Sequence, residues 1–316
     1  MSECVLLCAA RAALGETSPG PAAGRALGRA DRIPDGLPGL KPQLQRHVRL
    51  LPSRWPMAAI TRQLDAGDAG LGQWLRADPA YVQADINAGR MLACGNLGLN
   101  FAETEALLKP LQPLFGDAGF PISAPVPERW YLQLPLGARL PAFADPEQAL
   151  GDDLYDHLPQ GTEGRQWRAL LNEAQILLHN HPINAERRAR GLLPANSVWF
   201  WGAGLLPDHV QMTAQQVLSD ASDLAGLARL AGVDLGPARR GWAGEQSRSG
   251  SLLIDLRGLR DASVLEADWL LPALVCLAEG RFERLRLDFA DGIGLVLTSR
   301  QHWRFWRRAL GHWQHG

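Results

Sequence analysis

The sequence predicts an α/β fold, and three observations carry that prediction. Short apolar runs of strand length alternate with longer stretches whose apolar residues recur every three or four positions. The 316 residues suffice for a full hydrophobic core, in one large domain or two intimate ones. With 46% apolar and 21% charged residues, the composition is that of an ordinary globular chain, free of internal repeats and low-complexity tails.

The elements follow in order. Cys4–Ala10 is short and continuously apolar, as a fully buried strand is. It is too short to span a bilayer and lacks the basic flank of a signal peptide, so a cytoplasmic protein is expected. Residues 15–24 are rich in Gly and Pro and read as a mobile loop, followed by a short helix at about 24–32. Leu40, Leu44, His47, Val48 and Leu51 share one face of a helix predicted from Leu40 to Leu51, with His47 a partly buried residue of it. Residues 56–66 form the next helix, ended by Gly67.

Residues 72–82 read as a strand that the Asp78-Pro79 step interrupts, because the residue before a proline is pushed towards extended geometry. Asn100 with Glu103 makes a capping box for a helix running to Phe115, which Pro110 should kink or shorten. Residues 128–134 alternate as a half-buried strand, and 135–164 are loop-rich. Gln166–Leu178 is the cleanest amphipathic helix, with Trp167, Leu170, Leu171, Ala174, Leu177 and Leu178 on one side. Ser197–Trp201 is a strand and Ala221–Ala231 a helix ending at Gly232. The last third reads strand (251–256), helix (265–279), strand (284–289) and strand (293–298). A closing helix over 300–313 carries Trp303, Trp306, Leu310 and Trp313 on one stripe.

Composition narrows the chemistry. A net charge of −1 argues against a nucleic-acid or membrane surface, so neither partner is expected. Cys4, Cys8, Cys94 and Cys276 have no paired or metal-binding spacing and read as buried free thiols of a reducing compartment. His179-Asn180-His181 is not the nuclease motif of those letters, whose residues lie tens of positions apart. Its histidines, at a helix end before Pro182, suit the orphan carbonyls there. Asp152, Asp153, Asp156 and His157 could hold a hard cation, but a solvated loop or helix start explains them more simply. Gly202-Ala203-Gly204 after a strand reads as a tight turn before it reads as a phosphate cradle. RQHWRFWRR (300–308) could stack on bases, yet its helical stripe favours a core-facing helix. No nucleophile elbow, Walker loop or zinc-protease motif is present.

The densest stretch is HPINAERRARGLLPANSVWFWGAGLLP (181–207). Its Asn-x-x-Arg, Gly, Pro-Ala-Asn and aromatic strand resemble a segment of the archaeal-type cofactor-independent phosphoglycerate mutases. RADPAYVQADIN, FGDAGFPI, ERWYLQLP, GDDLYDHLP and NEAQILLHNHP resemble the bacterial RpfE-type regulatory proteins, over roughly residues 24 to 310. The resemblance implies a degenerate alkaline-phosphatase-like α/β core formed by 1–70 and 195–316. A smaller lobe, 71–194, would be inserted into it, with Cys4–Ala10 and Ser197–Trp201 in one core.

The mutases use two divalent metals held by Asp and His, and a serine that becomes phosphorylated. Here Ala9, Ala10 and Arg11 stand where the family places a metal-binding Asp after its first strand. SLLIDLRGLRDASVL keeps Asp255 and Asp261 without the family's histidine, and no histidine lies between His209 and His302. Asp288-Phe289 stands for the family's Asp-His. The resemblance therefore implies no catalytic residues, no metal and no cofactor. It leaves Arg76, Arg129, His157, Asn184 and Arg187 as the matching polar groups of a substrate clamp. Arginine suits this role because its fork holds phosphate or carboxylate bidentately. Asn184 and Arg187, three apart on a helix, share a face on which an anion could be held. A non-catalytic regulatory protein that binds a phosphorylated or carboxylated metabolite, or a protein partner, is the expectation. The rivals are an active metal-dependent phosphomutase or phosphatase, and a structural interaction module with no small ligand.

Overall fold

The computed structural model describes residues 2–84, 89–243 and 250–313, and the chain divides into two compact units. The first comprises Met1–Arg49 and His209–Gly316, and the second Leu50–Asp208. In chain order the elements are β1 (Glu3–Cys8), α1 (Pro21–Arg29), β2 (Asp31–Ile33), α2 (Leu40–Gln45), β3 (Val48–Leu51), α3 (Met57–Asp65), β4 (Gln73–Ala84) and β5 (Gly89–Cys94). There follow α4 (Phe101–Asp117), β6 (Ile122–Val126), β7 (Arg129–Leu134), α5 (Pro146–Ala149), α6 (Gly161–His179), α7 (Pro182–Ala189), β8 (Ser197–Leu205), β9 (His209–Met212) and β10 (Gln216–Leu218). The chain continues with α8 (Ser222–Leu230), β11 (Asp234–Gly236), β12 (Leu252–Leu256), α9 (Ala262–Val264), α10 (Leu271–Ala278), β13 (Arg284–Phe289) and β14 (Gly294–Leu297). A π-helical segment, Leu265–Leu270, joins α9 to α10. The mixed α/β class is as the alternation predicts.

Among its described residues the first unit holds a seven-stranded sheet in the order β11-β10-β12-β1-β13-β14-β2. The run from β11 to β13 is parallel, and β14 is antiparallel to both β13 and β2. The continuous apolarity of β1 is that of a strand buried on both faces, and Val5, Leu6 and Leu7 are inaccessible. Leu7 lies in register with Asp255 of β12 and Asp288 of β13, so two carboxylates flank the carboxyl end of β1. In open sheets of this kind, ligands bind outside the carboxyl ends of the strands.

The second unit is built on an antiparallel five-stranded sheet, β5-β4-β7-β6, with β8 on the other edge of β4. Its core joins Trp130, Trp167, Phe115 and Phe200 to the apolar faces of α4 and α6. No helix among the described residues is long and apolar enough to cross a membrane.

Several expectations are corrected. β1 and β8 lie in different sheets, because β8 pairs with β4 along residues 73–80. The boundaries therefore fall at 49/50 and 208/209, not at 70/71 and 194/195. The helix expected through Leu51 stops at Gln45, since Val48 and Leu50 are buried while Arg49 and Leu51 are exposed, a period of two that makes β3. β4 runs straight through Pro79. That residue falls between the pairing with β7, which ends at Arg76, and the pairing with β5, which starts at Ala80. α4 likewise continues through Pro110 and Pro113, its capping box intact. Burial of Leu107, Leu108, Leu111 and Phe115 offsets a proline cost of about 3 kcal/mol. Part of the stretch read as a loop over 15–24 is helical, because α1 begins at Pro21.

The closing helix does not form. A 3-10 turn, Ser299–Trp303, is followed by irregular chain that leaves Trp303 and Trp306 exposed and buries Trp313. Two arginines explain the extended path: Arg304 donates to the carbonyl of Arg29 and Arg307 to that of Ala30. The segment crosses α1 so closely that a Cβ at Gly28 would lie 2.1 Å from the Arg308 carbonyl oxygen.

Candidate functional site

Two polar clusters stand out, one in each unit. At the carboxyl edge of the first unit's parallel sheet, Asp288 is wholly buried at the end of β13. Arg46 Nη2 donates to its Oδ1 at 2.6 Å, and Arg286 Nη2 donates to its Oδ2 at 2.7 Å. His47 Nε2 lies 2.9 Å from Oδ2. The end of α2 and the start of β3 deliver Arg46 and His47, so His47 is a carboxylate partner and not a helix-face residue. Burial raises the Asp288 pKa, but hydrogen bonds from His47 and Arg46 and the charge of Arg286 outweigh it and hold it at about 2.

Two strands away, Arg257 grips two carboxylates. Its Nε donates to Asp255 Oδ1 at 2.8 Å, and its Nη1 to Asp223 Oδ2 at 2.8 Å. Ser219 Oγ donates to Asp255 Oδ2 at 2.7 Å. Burial raises the Asp255 pKa, yet Arg257 and Ser219 bring it below the usual carboxylate value. Arg11, after β1, pairs with Asp291 at 2.7 Å. Cys8 lies among these groups; burial, then the charges of Asp288, Asp255 and Asp291, push its thiol pKa up, so it is an inert thiol.

A two-metal centre needs carboxylate or imidazole ligands with lone pairs facing the ions. Both oxygens of Asp255 and both of Asp288 are instead occupied by arginine, serine and histidine. Among the described residues no group of three or more His, Cys, Asp or Glu could hold a metal ion. The residues do not fit a metal pair.

The five residues expected to bind a ligand all lie in the second unit. Arg76 of β4 is buried and donates to Asp78 at 2.7 and 2.8 Å and to Thr61 Oγ1 at 3.0 Å. Burial raises the Asp78 pKa, and Arg76 opposes that. Arg129 of β7 forms a two-pronged pair with Asp65, both bonds at 2.7 Å. Tyr131 between them donates to the same carboxylate at 2.6 Å. His157 stands apart, 2.9 Å from Asp152. Asn184 is buried and bonds to the carbonyls of Leu178 and Ala195 and to the amide of Ala195. Arg187, fully buried in α7, donates to Glu103 at 2.7 Å, to the Leu193 carbonyl at 2.9 Å and to the Leu97 carbonyl. Asn184 and Arg187 do share a face, but it is turned onto the protein's own backbone and the start of α4.

Arg76 and Arg129 are brought together around Tyr131, with Arg62, which sequence reasoning missed. Arg62 stacks 4.4 Å from the Trp74 ring centre and pairs with Asp68. Its signal was helical phase: position 62 follows Ala58 and Ala59 on the buried face of α3. Asp153 caps a 3-10 turn through the Tyr155 amide, as the simpler reading of the acidic loop implies. The histidine doublet differs from expectation: Asn180 Nδ2 takes the Ile176 carbonyl, while His181 caps the start of α7. Gly202-Ala203-Gly204 is strand, not turn, and lies within β8.

A scan against protein-family models finds no match. Curated relatives nevertheless share parts of the chain. A probable 2,3-bisphosphoglycerate-independent phosphoglycerate mutase of Geobacter sulfurreducens is 29% identical over 159 residues, 49% of this chain and 38% of that protein. The 2,3-bisphosphoglycerate-independent phosphoglycerate mutase of Methanosarcina barkeri is 26% identical over 219 residues, 66% of this chain and 54% of that protein. The chain thus spans about half or less of the length of these curated relatives. Among solved structures, the cofactor-independent phosphoglycerate mutase of Thermoplasma acidophilum aligns over 94% of this chain and 90% of its own, at 16% identity and a TM-score of 0.43. The PH0037 protein of Pyrococcus horikoshii aligns over 98% and 90%, at 11% identity and a TM-score of 0.48. The chain is distantly similar to the cofactor-independent phosphoglycerate mutases.

Proposed function

We propose that this chain is a non-catalytic relative of those mutases, of the RpfE regulatory type, acting by binding instead of turnover. One observation carries the reading: at the carboxyl edge of the parallel sheet, Asp255 and Asp288 are saturated by Arg257, Arg46 and Arg286. A guanidinium neutralises the carboxylate that a divalent ion would need, and it has no vacant position for substrate or water. The same economy holds in the second unit. Arg76, Asn184 and Arg187 spend their donors on the protein, which favours a macromolecular partner over a small anion.

Purified protein should show no phosphoglycerate mutase activity with added manganese or magnesium. It should also show no rise in melting temperature with 3-phosphoglycerate. A ligand that binds only the folded state stabilises by roughly 2.7 kcal/mol at a hundredfold excess over its Kd. Turnover would overturn the non-catalytic reading. A melting shift abolished by Arg129→Gln would restore the metabolite as ligand.

A further inference from the structure

The first unit presents a basic and aromatic surface that the sheet-edge chemistry does not use. From Ser299 to Trp313 the chain carries Arg300, Arg304, Arg307 and Arg308 and no acidic residue. α1 beside it adds Arg25 and Arg29, again with no acid, so the rest of the chain is net acidic. Arg304 and Arg307 are tied to the end of α1. The guanidinium groups of Arg25, Arg29, Arg300 and Arg308 have no partner among the described residues. Interleaved with them, Trp303, Phe305 and Trp306 are 70%, 78% and 67% exposed. Three large aromatic side chains this open, within four positions, are unlike the scattered apolar residues of an ordinary surface.

A recess of about 270 Å³ adjoins this segment. Arg25 and Arg29, one helical turn apart, line it together with Thr298, Ser299 and His302, and Leu277 is among its apolar residues. Guanidinium and hydroxyl groups around a concavity suit a phosphate, and aromatic faces between arginines suit a base.

We infer that this face binds a short stretch of single-stranded nucleic acid. Phosphates lie along Arg25, Arg29 and Arg300, and bases stack on Trp303 and Trp306. An anionic bilayer would also attract arginine and tryptophan, but a flat lipid surface leaves the recess and its hydroxyls without a role. A single strand uses both features. The overall charge of −1 does not oppose this, because α1 and residues 299–313 together carry six arginines and no acidic residue. The inference does not depend on the loss of catalysis proposed above.

The test is fluorescence anisotropy of labelled oligo(dT) titrated with the full chain at several salt concentrations. Vesicles of phosphatidylcholine and phosphatidylserine form a parallel arm. Binding should quench tryptophan fluorescence and weaken steeply with salt. Replacing Trp303 and Trp306 by alanine should weaken binding by roughly five- to a hundredfold per ring while keeping the salt slope. Replacing Arg25 and Arg29 by glutamine should instead flatten that slope by about 0.7 for each phosphate no longer neutralised. These side chains are exposed or line a surface recess, and unchanged melting of each variant confirms that it is folded. No oligonucleotide binding at low salt would overturn the inference. So would binding indifferent to the aromatic substitutions, displacement by inorganic phosphate at equal ionic strength, or binding to the vesicles alone.

Discussion

Asp288 shows how a single position changes meaning with its neighbours. The resemblance to the mutases suggests that it matches the Asp of an Asp-His pair; in the fold it anchors Arg46, Arg286 and His47 at the end of β13. Its pKa of about 2 lies below the roughly 3.9 of an unfolded aspartate. The stabilisation is therefore complete above about pH 4 and is lost as pH falls from there through about 2. Asp288→Asn should cost about 3 kcal/mol at neutral pH, because it leaves two guanidinium groups uncompensated. It should also flatten the decline in stability between about pH 4 and 2, both readable by denaturant unfolding across pH. Arg187 invites a parallel test. Buried against Glu103, it should cost about 3 kcal/mol when changed to alanine. A variant as stable as the parent would free Arg187 for a ligand and contradict its structural role. The sequence could not show this, because the partner of Arg187 lies 84 positions away.

Among elements, those with a local cause were legible and those set by distant packing were not. The α4 capping box, the α6 stripe except for the exposed Leu177, and the continuously apolar β1 each follow from neighbouring residues, and each is present. The closing helix failed because its arginines reach back to α1, a pairing that no local pattern encodes. β8 teaches the same lesson through Gly202. Its φ is +68°, and a Cβ there would lie 3.2 Å from the Ala58 amide nitrogen at the start of α3. What looked like a turn or a phosphate cradle is a strand against which a helix packs closely. Gly202→Ala should destabilise by more than about 1 kcal/mol, measured by denaturant unfolding. An unchanged midpoint would mean that α3 and β8 are not packed this closely.

At the scale of the molecule, the α/β class was legible from the alternation of strands and helices. The partition was not, because it turns on which sheet takes β8. That choice is made by pairing with β4, more than a hundred positions earlier in the chain. The observations on which the proposed loss of catalysis rests were open in the sequence: Ala9 and Ala10 after the first strand, and no histidine from 210 to 301. The ion pairs of Asp255 and Asp288 were hidden, since Arg46, Arg257 and Arg286 meet these carboxylates only in the folded sheet. The central claim is that guanidinium groups occupy the carboxylates a metal pair would need. The most direct measurement is the content of tightly bound divalent metal in protein purified without chelator and then equilibrated with manganese. Well under one equivalent per chain is expected, unchanged by Asp255→Asn or Asp288→Asn. A stoichiometric pair of ions, lost in either variant, would contradict it.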